Sequence, residues 1–251
     1  VFGGLHSHQL NNNDDGTINI KDIINNIRDT RDDHFPTTKL LCLENTHNFC
    51  YGSAIPEQYF SDVKSEIKKF NIKLHIDGAR IFNAATALNC SVDKLAKEAD
   101  SVSFCLSKGL SCPSGSLILG SSDFIKKAKR IRKALGGGMR QAGILASAGI
   151  FALDNLTNQI DKDHENALLI AKELINIPNI EIDIKKVSTN LIFFYLKKDG
   201  LSDETFIKKL LANKIKIDSK GNRKFRIATH YGFTKDSIDK VINSMKSILN
   251  N

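Results

Sequence analysis

The chain has 251 residues, which is enough for one large domain, or a large and a small one, with a sizeable core. Hydrophobic residues make up 41% and charged residues 25%, as is typical of globular proteins, and no apolar stretch approaches the roughly 18 residues of a membrane span. The five cysteines show no C-x-x-C spacing. We therefore expect no disulfide framework and no metal site, but a reducing, cytoplasmic compartment in which Cys42 and Cys105 are buried like small hydrophobes.

The net charge of +8 raises the question of a nucleic-acid partner. Much of this charge lies in residues 126–133, where Phe124, Ala128, Ile131 and Leu135 recur at helical spacing. We interpret the basic residues as the solvated face of an amphipathic helix. No recognised nucleic-acid-binding motif accompanies them, so a nucleic-acid binder is the weakest hypothesis and we expect no membrane partner either.

The first part of the chain alternates predicted helices and strands. In chain order we predict a short helix at 18–28, a buried strand at 39–43, a helix at 56–70, a strand at 72–76, helices at 79–88 and 92–98, and strands at 101–106 and 115–119. This alternation predicts an α/β fold with a mostly parallel sheet between helices. The connection between the last two strands is too short for a parallel crossover, so one of that pair is predicted to be antiparallel.

The second part of the chain predicts a smaller unit. Two helices are expected between 141 and 175, then strands at 180–184 and 190–195, a helix at 203–212, a strand at 225–228 and a closing helix at 234–249. We therefore predict a large domain over residues 1–158 and a small α+β domain over residues 159–251.

Polar residues follow three of the predicted strands. Glu44 to His47, Asp77 to Arg80, and Ser107-Lys108 each come where a strand ends. In parallel sheets, ligands bind beyond the carboxyl ends of the strands. The sequence therefore predicts one site that these three segments share.

Lys108 and Asp77 are the most informative pair in this predicted site. Both stand in apolar runs, where burying a charge is costly unless it is paired or used covalently. A pyridoxal phosphate site explains both, with the lysine as a Schiff base and the carboxylate keeping the pyridine nitrogen protonated. Taken singly, Lys108 also fits a solvent-exposed helix start, Asp77 a helix N-cap, and Arg80 an ion-pair partner of Asp77.

Two further residues are candidates for the same site. His47 is suited to moving a proton near neutral pH, although a hydrogen-bonded loop histidine explains it about as well. Arg140 follows Gly136-Gly-Gly138, where glycines permit close backbone approach, and it is a candidate for holding a phosphate. A plain hinge between helices is the competing interpretation.

Four segments, in this order and spacing, resemble the low-specificity L-threonine aldolases, which are aspartate-aminotransferase-like (fold type I) pyridoxal phosphate enzymes. They are Leu43-Glu-Asn-Thr-His-Asn48, His75-Ile-Asp-Gly-Ala-Arg-Ile-Phe-Asn-Ala84, Cys105-Leu-Ser-Lys-Gly-Leu110 and Gly136-Gly-Gly-Met-Arg-Gln-Ala-Gly143. The resemblance extends along nearly the whole chain. It implies a lyase that cleaves L-threonine or L-allo-threonine to glycine and acetaldehyde, and it implies a homo-oligomer.

The resemblance also implies roles for individual residues. It makes Lys108 the Schiff-base lysine with Ser107 beside the cofactor, Asp77 the partner of the pyridine nitrogen, and Arg80 a cofactor neighbour within reach of the substrate carboxylate. It further implies His47 as the active-site histidine, Arg140 in the phosphate region, and Arg226 as the small-domain arginine that binds the substrate carboxylate.

The sequence departs from the family at its start. Family members begin with a segment that carries a Gly-Thr turn for the phosphate, a histidine stacked on the pyridine ring and the first part of the large domain. This chain opens at Val1 without methionine, so we expect a processed or partial sequence with an N-terminally incomplete large domain. Cys112-Pro-Ser-Gly115 is a minor departure. Two alternatives stay open, another fold type I β-eliminating lyase and a truncated, non-catalytic remnant.

Overall fold

The computed structural model describes residues 3–197 and 201–249 and contains two four-stranded sheets. The first sheet has the order β1 (Leu40–Glu44), β2 (Lys73–Asp77), β3 (Ser101–Cys105) and β4 (Ser116–Gly120). The second has the order β5 (Ile180–Glu181), β6 (Leu191–Leu196), β8 (Lys224–Ala228) and β7 (Asp218–Ser219).

Nine α-helices connect and flank these strands within the described ranges. They are α1 (Ile20–Asn25), α2 (Glu57–Lys68), α3 (Ile81–Ala87), α4 (Val92–Ala96), α5 (Ser122–Ala134), α6 (Gly143–Asn155), α7 (Ile160–Leu174), α8 (Asp203–Ala212) and α9 (Lys235–Leu249). Short 3-10 helices cover Thr157–Gln159 and Ile184–Lys186. None of the helices in this part of the chain is long and apolar enough to cross a bilayer.

The strand directions of the first sheet confirm the predicted mixed topology. β1, β2 and β3 are parallel, and β4 pairs antiparallel with β3. The register places Glu44 opposite Asp77 and Asp77 opposite Ser103, so the carboxyl ends of the three parallel strands lie side by side. The fold class is the predicted mostly parallel α/β sheet flanked by helices.

One face of this sheet forms the core and the other does not. Leu74 and Ile76 of β2 pack with Phe60, Val63 and Ile67 of α2, all of them fully buried, because their spacing puts these α2 residues on one side of the helix.

The opposite face carries Cys42 and His75 and is open to solvent. Cys42 is exposed, and Cys105 at the end of β3 is only partly buried. The prediction that the first strand and Cys42 are buried was therefore wrong. Side chains alternate along a strand, so an apolar run can have one open face.

The second sheet has a closed core built around three phenylalanines. Phe194, Phe206 and Phe225 are fully buried, with ring centroids 5.2–6.5 Å apart. Helices α7 and α9 pack on this core. The predicted strand at 180–184 is shorter than expected, and β7 was missed because a two-residue strand has no periodicity to detect. The boundary after residue 158 stays a prediction.

The outer edge of the first sheet is exposed on all sides. All five residues of β4 are exposed, and α5 buries none of its residues in the described structure. The amphipathic helix is present as predicted, and its basic face is solvated. Its apolar face is solvated as well, since Ile131 and Leu135 are 59% and 66% exposed.

Candidate active site

The polar segments that follow β1, β2 and β3 meet at one rim of the first sheet. β1 ends at Glu44, β2 ends at Asp77, and β3 leads through Leu106 into the turn that carries Lys108. Arg226 of β8 reaches the same rim from the second sheet, because it hydrogen-bonds to Asn48. The rim therefore combines distant parts of the chain, since Asn48 and Arg226 are 178 positions apart.

The loop that carries His47 is held by backbone hydrogen bonds. The amide of His47 donates to Ser53 at 2.9 Å, and that of Gly52 donates to the His47 carbonyl at 2.9 Å. Asn45 is fully buried, and its side chain exchanges two 3.0 Å hydrogen bonds with the backbone of Ile55. His47 therefore sits in a fixed position although it lies outside regular secondary structure.

The His47 ring has a defined environment. Nδ1 accepts the backbone N–H of Cys50 at 3.2 Å, and Nε2 lies 3.7 Å from Oε2 of Glu44. Gly16, with φ of +88°, packs closely against the His47 side chain, and a Cβ built there would come 2.6 Å from the His47 Cβ. The polar turn near the start of the chain therefore serves to cover the histidine.

Two arginines converge on one amide oxygen. Arg80 Nη1 donates to Asn48 Oδ1 at 3.4 Å, and Arg226 Nη1 donates to the same oxygen at 2.5 Å. The other terminal nitrogen of Arg226 pairs with Asp218 at 2.5 Å. Burial lowers the pKa of Arg80, and the positive charge of Arg226 lowers it further. Two cations that share one neutral acceptor form a site for an anion such as a carboxylate.

Asp77 and Lys108 are exposed, so the prediction that both are buried was wrong. Asp77 points to the open face of the sheet, and its Oδ1 accepts the backbone N–H of Ala79 at 3.1 Å. This bond is the local cap that the sequence allowed. The alternative in which Arg80 pairs with Asp77 is not seen among the described residues, where Arg80 donates to Asn48.

The turn around Lys108 is anchored beneath the lysine rather than by it. Leu106 and Leu110 are buried against Ala152 of α6, and Ser111 donates to the Lys108 carbonyl at 2.9 Å. The apolar residues on both sides of Lys108 are therefore buried, whereas the lysine amine lies in solvent.

Ser107 and Arg140 are the predicted site residues that the structure leaves most isolated. Both are exposed. Within the described residues, 3–197 and 201–249, no hydrogen bond or ion pair joins either side chain to another predicted site residue. No side-chain contact in the described residues therefore links Arg140 to Lys108.

Asn83 of α3 was missed although it lies in the quoted segment from His75 to Ala84. Its side chain is 1% exposed, and its Nδ2 lies 3.1 Å from His164 Nε2. Its Oδ1 has no hydrogen-bond partner in the described part, and a Cβ on Gly109 would come within 2.6 Å of it. Burial lowers the pKa of His164 to about 4. Asn83 thus packs beneath the turn that carries Lys108. The hydrophobic periodicity of the sequence gives no indication of this contact.

The rim has the side chains that pyridoxal phosphate requires at its reactive end. Lys108 offers an accessible amine, and Asp77, on the neighbouring strand, offers an accessible carboxylate. The same open face carries Cys42 of β1, His75 of β2 and Ser103 of β3, and Nδ1 of His75 lies 2.8 Å from Ser101 Oγ. Elsewhere in the described chain, no three His, Cys, Asp or Glu side chains are grouped as metal ligands.

Comparisons with known proteins agree with this chemistry. The beta-eliminating lyase family model matches residues 1–199. Low-specificity L-threonine aldolase 1 of Arabidopsis thaliana is 40% identical over 252 residues, which is 99% of this chain and 70% of that protein. The low specificity L-threonine aldolase of Escherichia coli strain K12 is 36% identical over 99% of this chain and 72% of its own length. The Leishmania major threonine aldolase structure shares the fold, with a TM-score of 0.72 at 19% identity over 93% of this chain and 68% of that one.

Proposed function

The chain belongs to the beta-eliminating lyase family, and from that membership we propose that it is a pyridoxal phosphate-dependent lyase of the threonine aldolase type. It cleaves the Cα–Cβ bond of L-threonine or L-allo-threonine and releases glycine and acetaldehyde. The reaction thereby supplies glycine to amino-acid metabolism. The observation that carries the substrate class is the convergence of Arg80 and Arg226 on Asn48, because this arrangement suits the carboxylate of an amino acid.

Arg80 and Arg226 bind and orient the substrate. Its carboxylate replaces Asn48 Oδ1 as their acceptor, and a charged acceptor makes a stronger hydrogen bond than a neutral one. Asp218 holds the far side of the Arg226 guanidinium, so Nη1 stays directed at the rim. Binding of the carboxylate by the two arginines positions the substrate Cα above the open face of the first sheet.

Lys108, through its Nζ, and Asp77, through a carboxylate that would keep the pyridine nitrogen protonated, would hold the cofactor. When bound, pyridoxal phosphate accepts the electron pair that bond cleavage leaves on Cα. We assign Ser107 and Arg140 to the cofactor's flank and phosphate. Their exposure leaves them free to take a ligand.

His47 handles the substrate hydroxyl in this proposal. The loop that fixes His47 also fixes Asn48, the next residue, so a substrate held at Asn48 has its β-carbon near the histidine. The proton of the β-hydroxyl must leave before the Cα–Cβ bond breaks, and a positioned histidine or a water that it orients assists that transfer.

A covalent-labelling experiment tests the proposal. The full chain is incubated with pyridoxal phosphate, reduced with borohydride and digested, and mass spectrometry identifies the modified peptide. We expect the label on Lys108 and none in Lys108→Ala. Lys126→Ala, which removes an exposed lysine of α5, is the matched control and should label normally. A chain that takes no label, or takes it elsewhere, contradicts the proposal.

The products distinguish this reaction from that of another β-eliminating lyase of the same fold. Cleavage of L-threonine gives glycine and an aldehyde in equal amounts, whereas β-elimination from an amino acid such as serine gives pyruvate and ammonia. We expect only the first pair, measured by enzymatic assay of all four products. Pyruvate and ammonia as the main products would favour the other lyase.

We also propose that the chain acts as a cytoplasmic homo-oligomer. The large apolar residues exposed on β4, on α6, and on and just after α5 support the assembly, because apolar residues exposed in number often mark protein–protein interfaces; they are Leu117, Leu119, Phe151, Ile131 and Leu135. Sedimentation velocity should show an assembly that Ile131→Ser with Leu135→Ser weakens. A monomer at all concentrations would contradict it.

A further inference from the structure

Hydrogen bonding assigns the proton of the neutral His47 ring to Nε2. A neutral imidazole carries one N–H and one lone pair. The backbone N–H of Cys50 always carries its hydrogen and points at Nδ1 at 3.2 Å, so Nδ1 must supply the lone pair. The ring hydrogen is therefore on Nε2, 3.7 Å from Oε2 of Glu44.

This tautomer makes His47 a donor rather than a base. Its only lone pair is occupied by the Cys50 amide, and the loop that holds this amide is tied by Ser53 and Gly52. To accept a substrate proton, His47 would have to give up that bond within a loop that is otherwise held. The N–H at Nε2, in contrast, is available to a substrate oxygen.

Glu44 is the proton acceptor that remains at this position. One of its oxygens, Oε1, accepts the backbone N–H of Asn48 at 3.1 Å, and Oε2 faces His47 beyond hydrogen-bond length. The Glu44 side chain keeps 28% of its surface exposed, whereas His47 keeps 11%. Oε2 thus has lone pairs free and an opening toward the rim.

Glu44 is also connected directly to the place where the substrate carboxylate would bind. Its bond to the Asn48 amide holds the residue whose Oδ1 accepts from Arg80 and Arg226. In threonine, only Cα separates the carboxylate carbon from the carbon that bears the hydroxyl. A substrate held by the two arginines therefore presents its hydroxyl to the Glu44–His47 pair.

We propose that Glu44 is the catalytic base of the cleavage and that the Nε2–H group of His47 donates a hydrogen bond to the hydroxyl oxygen without giving up its proton. The substrate O–H bond breaks, and its proton moves to Glu44 Oε2, directly or through one water. The electron pair of that bond forms the second C–O bond of acetaldehyde as the Cα–Cβ bond breaks and its pair stays on Cα. Cα then takes up a proton to become glycine, and Glu44 returns its own proton to solvent. This assignment rests on the proposed function.

The test compares cleavage with glycine binding in the cofactor-loaded full chain. Glu44→Gln keeps an acceptor for the Asn48 amide but removes the basic carboxylate. We expect kcat for L-threonine to fall by about 10²–10⁴-fold, while the affinity for glycine, which has no hydroxyl, stays near that of the unchanged chain. Glu44→Asp should recover part of the rate. Glu66→Gln, which changes a partly exposed residue of α2 that pairs with Lys69, is the matched control.

Two results would overturn the assignment. Cleavage at the unchanged rate by Glu44→Gln excludes a base at this position. A loss of glycine affinity in step with the loss of cleavage reduces Glu44 to a positioning residue of Asn48. A wild-type chain that does not cleave L-threonine refutes the proposed function. The donor role of His47 is then tested separately, by the position of its ring hydrogen.

The tautomer is read by nitrogen NMR of the histidine-labelled full chain without cofactor or substrate. The His47 signals are assigned by their loss in His47→Gln. We expect the hydrogen on Nε2, both in the unchanged chain and in Glu44→Gln, because the Cys50 amide sets it. A hydrogen on Nδ1 would free a lone pair at Nε2, make His47 the base and overturn the proposal.

Discussion

The two sides of the rim differ in how the chain holds its polar groups. The carboxylate side consists of Glu44, His47, Asn48, Arg80 and Arg226, and every one of these side chains contacts another member of the set. Most of their surface is buried, and the His47 loop is tied by further backbone bonds. This side is organised by the protein itself.

The lysine side consists of Asp77, Ser107, Lys108 and Arg140, all of them exposed. Among residues 3–197 and 201–249, the side-chain hydrogen bond found in this set is that of Asp77 to the Ala79 amide. Under the proposed function, this difference predicts that the substrate-binding groups are preorganised and that the groups assigned to the cofactor become ordered when a ligand binds. Variants that disturb one side and spare the other test this division.

The largest expected effect comes from removing the core beneath the carboxylate side. Phe225 is fully buried between Phe194 and Phe206, directly before Arg226. Phe225→Ala should lower the free energy of unfolding by about 3–5 kcal/mol, since it leaves a cavity. Urea unfolding followed by circular dichroism measures this. Phe70→Ala removes a ring that is 48% exposed and should cost much less; equal losses would show that the second core is not closed.

Removing Arg226 itself should affect binding more than folding. Arg226→Ala deletes a charged hydrogen-bond donor from the carboxylate side, so KM for L-threonine should rise roughly 10- to 150-fold, equivalent to about 1.5–3 kcal/mol. Steady-state kinetics measures the change, with Arg130→Ala on exposed α5 as the control. An unchanged KM would mean that the substrate carboxylate binds elsewhere.

Lowering the pH should destabilise the fold beneath the lysine side through protonation of His164. Burial lowers its pKa from 6.5 to about 4. Between these two pH values His164 is protonated in the unfolded chain but stays neutral in the folded chain. The stability that His164 contributes is therefore present above pH 6.5 and is lost as the pH falls towards 4. His164→Gln keeps an acceptor for Asn83 without this titration. Relative to wild type, it should gain about 1–3 kcal/mol between pH 7 and about pH 5.

Its neighbour Asp163 acts with the opposite sign. Burial raises its pKa from 3.8 to about 6, so the folded chain takes up a proton first and stability rises as the pH falls from 6 towards 3.8. Asp163→Asn serves as the paired variant. The comparison is made by urea unfolding at each pH, and identical pH profiles for wild type and His164→Gln would show that His164 is not held neutral.

The smallest effect on folding is expected at Arg140. This side chain is exposed and has no hydrogen bond or ion pair in the described part of the chain, so Arg140→Ala should change the free energy of unfolding by less than about 0.5 kcal/mol. Its effect should appear only as weaker binding of pyridoxal phosphate, measured by titration of the cofactor's absorbance. Unchanged cofactor affinity would remove Arg140 from the lysine side.

The sequence predicted the larger elements well because their periods are strong. The apolar spacing of α2, α8 and α9 indicated helices close to those observed, and the short link after β3 implied the antiparallel β4. The rim was also predictable, since parallel strands end together. β7 and the shortened β5 were not, because two residues carry no measurable alternation.

The roles of Glu44, Asn48 and Asn83 could not be inferred from their spacing. All three lie in segments that were singled out, but their partners are remote or depend on loop geometry, as with Arg226 and His164. The error about Lys108 has a related cause. Apolar neighbours predict a buried backbone, but the direction of one long side chain on a turn depends on what packs beneath it.

By itself, the sequence determined the α/β class, the shared rim and the residue types of a pyridoxal phosphate site, because these follow from hydrophobic period and from the chemistry of charged groups. Only the tertiary structure decided that Arg226 joins Arg80 on one oxygen, that the Cys50 amide donates to His47 Nδ1, and that Lys108 faces solvent. These depend on contacts between distant segments, which no local pattern encodes.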